Sequence, residues 1–298
     1  MEEYNYQITF LIVDDDISYV DAIYRLAQNH DIMLTHAESL EYARDIFSRN
    51  EHKSISGIIL DVVGLRERNQ KVPDNSFIMA ASKYFAEHAA HLPIVVLTGE
   101  PDQYRNLKEL FKGTMGVYSK GRDEEEMLTF LRDEARKLDR IKFNIEYPEV
   151  FEAIRRYLDD DAENELIDCL KDMDSPDLTV IRKNLGNLRR LQEKIYIALN
   201  KLDRDFVPDE YVVGEIRIPT IYKNLAEKGC VERYKIIDRF AEVIFKITSD
   251  HGAHVPYLVP KYQPTRYTVK SLVYAMMDLL LWFGSLVADE QAAESELH

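Results

Sequence analysis

The stretch from Phe10 to Asp16 constrains the fold of this chain more than any other part of its sequence. It reads Phe-Leu-Ile-Val-Asp-Asp-Asp, so four apolar residues lead directly into three consecutive acids. An apolar run that ends in a polar cluster is typical of a strand buried on both faces of a parallel sheet. In such sheets the functional groups lie just beyond the carboxyl ends of the strands. The three acids are therefore either ligands for a hard cation such as Mg²⁺ or ordinary helix caps.

The pattern of an apolar run followed by a helical segment recurs through the first half of the chain. Further strands are predicted at 32–35, 55–61, 92–97 and 115–118, and helices are predicted to begin near residues 17, 38, 76, 101 and 123. Strict alternation of strands and helices predicts an α/β unit with a five-stranded parallel sheet, doubly wound and flavodoxin-like. This sheet should bring the residues that follow its strands to one edge.

Five chemically useful side chains leave the ends of the predicted strands. They are Asp14 and Asp15, Asp61, Thr98 and Lys120. Acids that hold a divalent cation reduce the repulsion between an anionic nucleophile and a phosphate, while a hydroxyl and an ammonium group bind the transferred group. The ordered set therefore indicates phosphoryl transfer to a carboxylate.

Residues 6–140 resemble the receiver domain of a bacterial two-component response regulator. The matching motifs are Leu11–Asp16, Ile58–Asp61, Val95–Gly99 and Val117–Lys120. The resemblance implies that Asp61 accepts the phosphoryl group. It also implies an Mg²⁺ site formed by Asp14, Asp15, Asp61 and the backbone carbonyl of Val63, with Asp16 capping the first helix.

The same resemblance assigns roles to the two remaining strand-end residues and to a partner. Thr98 would contact the phosphoryl group through its hydroxyl, and Lys120 would pair with it. A cognate histidine kinase or a phosphotransfer protein would supply the phosphoryl group. Apart from this aspartyl phosphorylation and dephosphorylation, we expect no enzymatic activity.

Three features depart from the usual receiver pattern. Lys120 is followed by Gly121 instead of proline, so the usual cis peptide bond is not available. Val117 occupies the position of the aromatic switch residue, and Tyr118 should face the opposite side of the strand. The loop Leu65–Asn75 is long and carries charges of both signs, and it either is a tolerated insertion or shapes recognition of a kinase or phosphatase.

The remainder of the chain is predicted to be all-helical, which divides the protein into a receiver domain (1–142) and a helical domain (143–298). Helices are predicted at 148–158, 162–173, 220–227, 231–248 and 265–288, with an acidic turn at Asp159–Asp161 and a frayed tail after Asp289. Ser175-Pro176-Asp177 reads as a helix start with proline at the first helical position. The leucine-rich stripe that follows fits a bundle core or a dimer seam, and Gly186 favours the bundle.

We expect the helical domain to be an interaction or dimerisation module that relays the phosphorylation signal to a protein target. An alternative is a receiver-controlled enzyme acting on RNA or nucleotides: the spacing of Lys246 and His251 faintly resembles HEPN-type nucleases, although those use arginine at the first position. His254 lies in the same predicted loop. A DNA-binding transcription regulator is less favoured still, because no basic recognition helix is present.

Amino-acid composition and net charge further narrow the possible partners and cellular location of the protein. The net charge is −15; residues 1–140 hold 17 basic against 25 acidic residues and the remainder 21 against 28, so neither half suits nucleic acid. Cys169 and Cys230 lack the spacing of a zinc site and fit a reducing compartment. The acidic start does not fit a signal peptide, and the apolar stretch 273–287 contains Asp278. We therefore expect a soluble cytoplasmic protein without a membrane segment.

Overall fold

The computed structural model describes residues 7–49, 54–253 and 262–296, and it divides the chain into two compact units. The first unit is Met1–Ile145 and the second is Glu146–His298. The division falls inside one helix, Asp139–Glu146, as does the predicted boundary after residue 142. The exact domain limits therefore stay a prediction.

The first unit is a five-stranded parallel sheet with helices on both faces. Its strands are β1 Ile8–Val13, β2 Ile32–Ala37, β3 Ile55–Asp61, β4 Ile94–Thr98 and β5 Gly116–Ser119. Its helices are α1 Ile17–Gln28, α2 Leu40–Ser48, α3 Ser76–His88, α4 Pro101–Leu110, α5 Glu124–Ala135 and α6 Asp139–Glu146. The strand order is β2-β1-β3-β4-β5 and every pairing is parallel. The predicted doubly wound, flavodoxin-like fold is confirmed.

Strand β1 shows why the sheet forms from these residues. Leu11 and Val13 pack into the core that includes side chains of α2, α3 and α4. Phe10 and Ile12 point to the other face and pack against side chains of α1 and α5. Because alternate residues of a strand face opposite sides, only an uninterrupted apolar run can fill both cores. The burial of this run fixes the point at which the acids emerge.

Two predictions about the helices of this unit were wrong. The spacing of apolar residues predicts that Tyr24 lies on the buried face of α1, but its side chain is 39% exposed, and Val20, Ile23 and Ala27 form the buried face. The apolar spacing after Asp123 predicts a fifth helix that continues through Leu138, but the helix ends at Ala135 and α6 begins separately. Helix α5 therefore ends within the first unit, and α6 is the helix in which the division falls.

The long loop after β3 is an ordered structure built on the start of α2. Gly64 and Asp74 pair at its base, and the backbone N–H groups of Leu40 and Glu41 donate to carbonyls of Leu65 and Arg66. Further along the loop, the Arg68 guanidinium pairs with Asp45 and lies over the ring of Tyr42. The loop leaves side chains such as Val72, which is 73% exposed, facing solvent.

The second unit is helical throughout its described part, as predicted. Its helices are α7 Pro148–Tyr157, α8 Asp160–Asp172, α9 Leu178–Leu202, α10 Ile218–Glu227, α11 Ile236–Thr248 and α12 Arg266–Glu296. A 3-10 turn at Asp209–Tyr211 and a π-helical turn at Ser249–Ala253 connect them. Helix α9 packs against α8, α11 and α12, so it is the central helix of this unit.

The apolar stripe of α9 forms the core of the helical unit. Its fully buried apolar members are Ile181, Leu185, Leu188, Leu191, Ile195, Tyr196 and Leu199. Apart from Tyr196, which is adjacent to Ile195, these residues recur at spacings of three and four, which is the periodicity of one face of a helix. Because neighbouring helices of the same chain already cover this face, the bundle interpretation is confirmed and the stripe is not free for a dimer seam.

Several predicted ends of these helices were wrong for reasons that involve capping. Asp177 is the N-cap of α9, so Pro176 precedes the cap instead of occupying the first helical position. Asp160 and Asp161 lie in the first turn of α8 instead of a turn between helices, because Asp159 caps that helix. Acidic side chains are favoured at these positions by the unpaired N–H groups and the helix dipole.

Two further helix ends differ from the prediction. Helix α11 begins at Ile236, five residues later than predicted, after a segment in which Tyr234 adopts a positive φ of 68°. Helix α12 continues to Glu296, beyond the predicted fraying point at Asp289. The predicted loop 249–263 is a π-helical turn up to Ala253, and His254 lies outside the described residues.

Helix α12 is long and apolar enough to cross a membrane by length and composition, over Arg266–Ala292, contrary to the expectation from its sequence. In the part of the chain that the structure describes, half of its most apolar window is buried by the protein itself. Tyr267, Ser271, Tyr274 and Asp278 form an exposed, polar stripe at helical spacing. Such a helix, buried on most sides with one polar stripe, is typical of the centre of a bundle.

Candidate functional site

The carboxyl ends of β1, β3, β4 and β5 form one edge of the sheet, and the predicted site residues lie along it. Asp14 and Asp15 follow β1, Asp61 ends β3, Thr98 ends β4, and Lys120 follows β5. The register aligns these ends, because Val13 pairs with Leu60, and Asp61 pairs with Leu97. Side chains that are distant in the sequence are thereby neighbours.

Three carboxylates converge at this edge. One oxygen of each of Asp14, Asp15 and Asp61 lies within 4.8 Å of the others. Asp14 is almost fully buried, and Asp15 and Asp61 are partly exposed. The Asp16 backbone N–H donates to Oδ1 of Asp14 at 2.9 Å, and the Val62 N–H donates to Oδ1 of Asp61 at 2.7 Å. Each of these two carboxylates therefore has one oxygen fixed by the backbone and one directed to other partners.

Lys120 supplies the positive charge between two of these acids. Its Nζ lies 2.6 Å from Oδ2 of Asp14 and 2.9 Å from Oδ2 of Asp61. The Lys120 backbone N–H also donates to the Thr98 carbonyl at 2.8 Å, which attaches the end of β5 to the end of β4. The ammonium group is therefore anchored through both its backbone and its side chain.

Three carboxylates face one ammonium group, and the pKa of Asp61 reflects this imbalance. Burial and the neighbouring charge of Asp14 raise the pKa of Asp61 to about 6, although Lys120 and the Val62 N–H oppose the rise. Burial likewise raises the pKa of Asp15. Burial disfavours the charged form of Lys120, but Asp14 and Asp61 together raise its pKa, so it remains an ammonium group.

Thr98 and Val63 are the two uncharged residues predicted for the site. Thr98 is buried, and its Oγ1 accepts a hydrogen bond from the Glu100 backbone N–H at 3.1 Å. This bond leaves the hydroxyl proton of Thr98 available for another acceptor. Val63 lies two residues beyond the end of β3 and is half-buried, next to the acid that ends the strand.

Asp16 caps the first helix, as predicted. Its carboxylate accepts a hydrogen bond from the Tyr19 backbone N–H at 3.1 Å. The prediction for Val117 and Tyr118 is confirmed as well. Val117 is buried in the core on one face of the sheet, while Tyr118 packs against the core on the other face. An aromatic ring is therefore absent from the position of the usual switch residue.

The loop after Lys120 is held by side chains. Gly121 has a φ of 77°, in the region that favours glycine, and none of the described residues has a cis peptide bond. The Gly121 backbone N–H donates to Oε1 of Glu124, and the Ser119 N–H donates to Oδ2 of Asp123 at 3.0 Å. Two acids at the start of α5 thus fix the turn that carries Lys120.

Sequence reasoning missed two residues that contact the site. His36 Nε2 lies 2.7 Å from the Asp14 carbonyl oxygen, and the ring of Tyr19 lies over the Lys120 ammonium with Nζ 4.5 Å from its centroid. No periodicity marks either contact, because each depends on how α1 and β2 sit against the sheet edge. A sequence pattern can place Tyr19 on α1 but cannot aim its ring.

The arrangement fits a hard divalent cation. Carboxylate oxygens are the ligands that Mg²⁺ prefers, and a dication would compensate the negative charge that Lys120 leaves unbalanced. The observation that supports this fit is the convergence of one oxygen from each of the three carboxylates within 4.8 Å. The residues present therefore suit a cation site at the sheet edge.

Among the residues of the helical unit that the structure describes, Lys246 and His251 do not form a comparable cluster. The Lys246 ammonium is exposed and pairs with Glu242 at 2.7 Å, one helical turn earlier on α11. His251 is half-buried in the π-helical turn, where Arg189 Nη1 donates to the neighbouring Ser249 hydroxyl at 2.8 Å. Neither observation favours the nuclease alternative.

Comparison with known proteins gives one solved structure to report. The chain is similar to the signal receiver domain attributed to a LuxO repressor protein of Vibrio parahaemolyticus. The similarity has 18% sequence identity and a TM-score of 0.34, and it covers 44% of this chain and 92% of that one. No model of a protein family matches the chain, and no curated protein matches it either.

The fold and the strand-end site define the class of the first unit. Its strand order is that of the doubly wound fold found in receiver domains, and its acids and lysine lie at the carboxyl edge of the sheet. The fold and the edge site of the first unit fit those of a receiver domain, and a helical unit follows it in the chain.

Proposed function

We propose that this chain is a two-component response regulator that is phosphorylated on Asp61 in an Mg²⁺-dependent reaction. The observation that carries the proposal is the placement of Asp61: its carboxylate lies between two further acids and an ammonium group at the open edge of the sheet. A cognate histidine kinase or a phosphotransfer protein is the donor. Asp61, Thr98 and Lys120 carry the chemistry.

The reaction is a displacement at phosphorus. A carboxylate oxygen of Asp61 forms a bond to phosphorus, and the bond between phosphorus and the imidazole nitrogen of the donor's phosphohistidine breaks. The electron pair of that bond stays with the imidazole, which takes up a proton, and Asp61 becomes an acyl phosphate. Oδ2 of Asp61 is the candidate nucleophile, because Oδ1 already accepts a hydrogen bond from the Val62 N–H.

The cation and the lysine have complementary tasks in this proposal. Asp14, Asp15, Asp61 and the carbonyl of Val63 would hold Mg²⁺, which supplies charge neutralisation to an anionic nucleophile and an anionic phosphoryl group. Lys120 would exchange its contact with the Asp61 carboxylate for a contact with a phosphoryl oxygen. The Thr98 hydroxyl would turn from Glu100 and donate to a second phosphoryl oxygen.

The helical unit would then relay the phosphorylation state to a protein target, which is another protein or a second copy of this chain. Phosphorylation adds negative charge beside Thr98 and Lys120, so it can shift the population of conformations of the β4–α4 and β5–α5 face. With net charges of −8 and −7 in the two parts of the chain, nucleic acid is a poor partner. We place the protein in the cytoplasm, where such kinases act.

Phosphorylation of the full chain by a small phosphodonor such as acetyl phosphate tests this function. Intact mass should increase by one phosphoryl group in the presence of Mg²⁺ and should stay unchanged with a chelator. Asp61→Asn should abolish the increase. The matched control is Asp16→Asn, because Asp16 is a neighbouring acid whose capping role asparagine can fill. Mass gain in Asp61→Asn, or none in the wild type, would contradict the proposal.

A further inference from the structure

The ring of Tyr19 contacts the Lys120 ammonium group. The ammonium has Asp14 and Asp61 as ion-pair partners, and the face of the Tyr19 ring lies against it at 4.5 Å. An aromatic face attracts a cation, and it does so more strongly where water is excluded. The ring is therefore a further contact of the ammonium, beside its two carboxylate partners.

The hydroxyl of Tyr19 links the same ring to the turn that carries Lys120. It donates to Oε1 of Glu124 at 3.1 Å, and this oxygen also accepts the Gly121 backbone N–H. Burial, followed by the charge of Glu124, raises the pKa of the Tyr19 hydroxyl, so it remains a donor at neutral pH. One side chain from α1 thus contacts both the ammonium and the backbone turn next to it.

The turn needs the support of Tyr19 because both of its residues, Lys120 and Gly121, are conformationally flexible. Gly121 has a positive φ, and a Cβ at this position would meet nothing within 4 Å, so packing does not restrain the turn there. Lys120 itself carries its ammonium on a flexible stem of four carbons, and ordering that stem costs conformational entropy. A lysine held over its partners before the reaction does not have to be ordered during it.

We infer that Tyr19 is a positioning residue for Lys120 in phosphoryl transfer, and this inference rests on the proposed function. The ring holds the ammonium group at the acids, where it meets the incoming phosphoryl oxygen. The hydroxyl, through Glu124, fixes the turn at Gly121. In this role Tyr19 contacts neither the phosphoryl group nor Mg²⁺, because it acts through Lys120.

The test measures the rate constant of phosphorylation of the full chain by acetyl phosphate at saturating Mg²⁺. Tyr19→Leu should lower the rate constant by about 3- to 30-fold, the range expected for loss of a cation–aromatic contact. Tyr19→Phe keeps the ring and should retain most of the rate. The matched control is Tyr24→Leu, a tyrosine of the same helix that is 39% exposed, and it should leave the rate within about twofold.

A second pair of variants separates positioning from a general loss of structure. If Tyr19 acts through Lys120, then Tyr19→Leu should have little further effect in a Lys120→Ala background, because coupled residues are not additive. An equal reduction in both backgrounds would overturn the inference, and so would an unchanged rate in Tyr19→Leu. If Tyr19→Leu lowers the unfolding temperature severely, Tyr19→Met fills a similar space without an aromatic face and replaces it.

Failure of the inference and failure of the function give different results. Absence of phosphorylation in the wild type would contradict the proposed function. Phosphorylation of the wild type with the same rate constant in Tyr19→Leu would contradict only the role of Tyr19.

Discussion

At the scale of single residues, the charged side chains of the site lower the stability of the folded protein. Asp14 is almost fully buried, Asp61 lies beside it, and one lysine is shared between them. Two carboxylates that share one ammonium leave an excess negative charge in a partly desolvated position, which costs free energy of folding. Such a cost persists where function requires the charge, and the proposed function requires it for binding a cation and an incoming phosphoryl group.

The pKa of Asp61 turns this cost into a prediction about pH. A carboxyl group that has a pKa of about 6 in the folded protein and 3.8 when unfolded binds its proton more tightly when folded. The free energy of unfolding of the metal-free protein therefore falls as pH rises from about 4 to about 6. The carboxyl group of Asp61 contributes about 1–3 kcal/mol to this fall. Asp61→Asn should remove this loss and be more stable than the wild type at pH 7.

Denaturant unfolding in a chelating buffer at pH 5 and pH 7 measures the effect. The difference in free energy of unfolding between Asp61→Asn and the wild type should be larger at pH 7 than at pH 5. Added Mg²⁺ should stabilise the wild type more at pH 7, where Asp61 is ionised. Asp16→Asn serves as the control at both pH values, and an equal difference at the two values would show that Asp61 is not strained by charge.

At the scale of elements, the strands could be predicted well because their cause is local. Each inner strand must fill two cores, so an apolar run such as Ile58–Leu60 has no alternative to burial, and the residue that ends it is fixed at the sheet edge. The acids and Lys120 could therefore be placed together from the sequence. The ring of Tyr19 and the imidazole of His36 could not, because tertiary packing alone decides where they point.

The helix ends show the same limit. Ser175, Pro176 and Asp177 are all good residues for a helix start, and the sequence alone does not decide which of them caps. In the structure Asp177 accepts hydrogen bonds from the N–H groups of Thr179 at 2.6 Å and Val180 at 3.3 Å. A capping aspartate satisfies two otherwise unpaired donors, and this geometry is visible only once the chain is folded.

This cap gives a prediction for the stability of the helical unit. Asp177→Ala removes the acceptor from the first turn of α9 and should lower the unfolding temperature of the full chain. Asp177→Asn should restore most of it, because asparagine caps about as well as aspartate. Pro176→Ala should have a smaller effect than Asp177→Ala, since Pro176 lies outside the helix. Thermal unfolding followed by circular dichroism decides, and a larger loss in Pro176→Ala would mean that the proline starts the helix.

At the scale of the whole molecule, the two units differ in how far their functional residues can be recognised from the sequence. The first unit has its candidate functional side chains at the ends of strands, so they can be recognised by position. The helical unit has an ordinary apolar core along α9 and α12, and its only repeated pattern is the one that forms that core. A pattern that serves packing gives no information about a partner, so the helical unit could be predicted as a fold but not as a function.

The order of the chain nevertheless predicts how a partner should respond. In the proposed function the phosphorylated residue, Asp61, lies in the first unit, so a target of the helical unit should distinguish phosphorylated from unphosphorylated full chain. We expect wild-type protein treated with acetyl phosphate and Mg²⁺ to differ from Asp61→Asn in the proteins it retains from a lysate or in its sedimentation coefficient. A change in sedimentation alone, at increasing protein concentration, would identify a second copy as the partner.

The controls distinguish binding that depends on phosphorylation from binding that does not. Thr98→Ala should still be phosphorylated, since Asp61 and Lys120 remain, but it should lose part of the difference, because the buried hydroxyl would no longer draw β4 towards the phosphoryl group. Tyr24→Leu should behave as the wild type does. Identical retention and sedimentation for phosphorylated wild type and Asp61→Asn would show that the helical unit does not read the state of Asp61. The receiver would then act only as a phosphoryl acceptor.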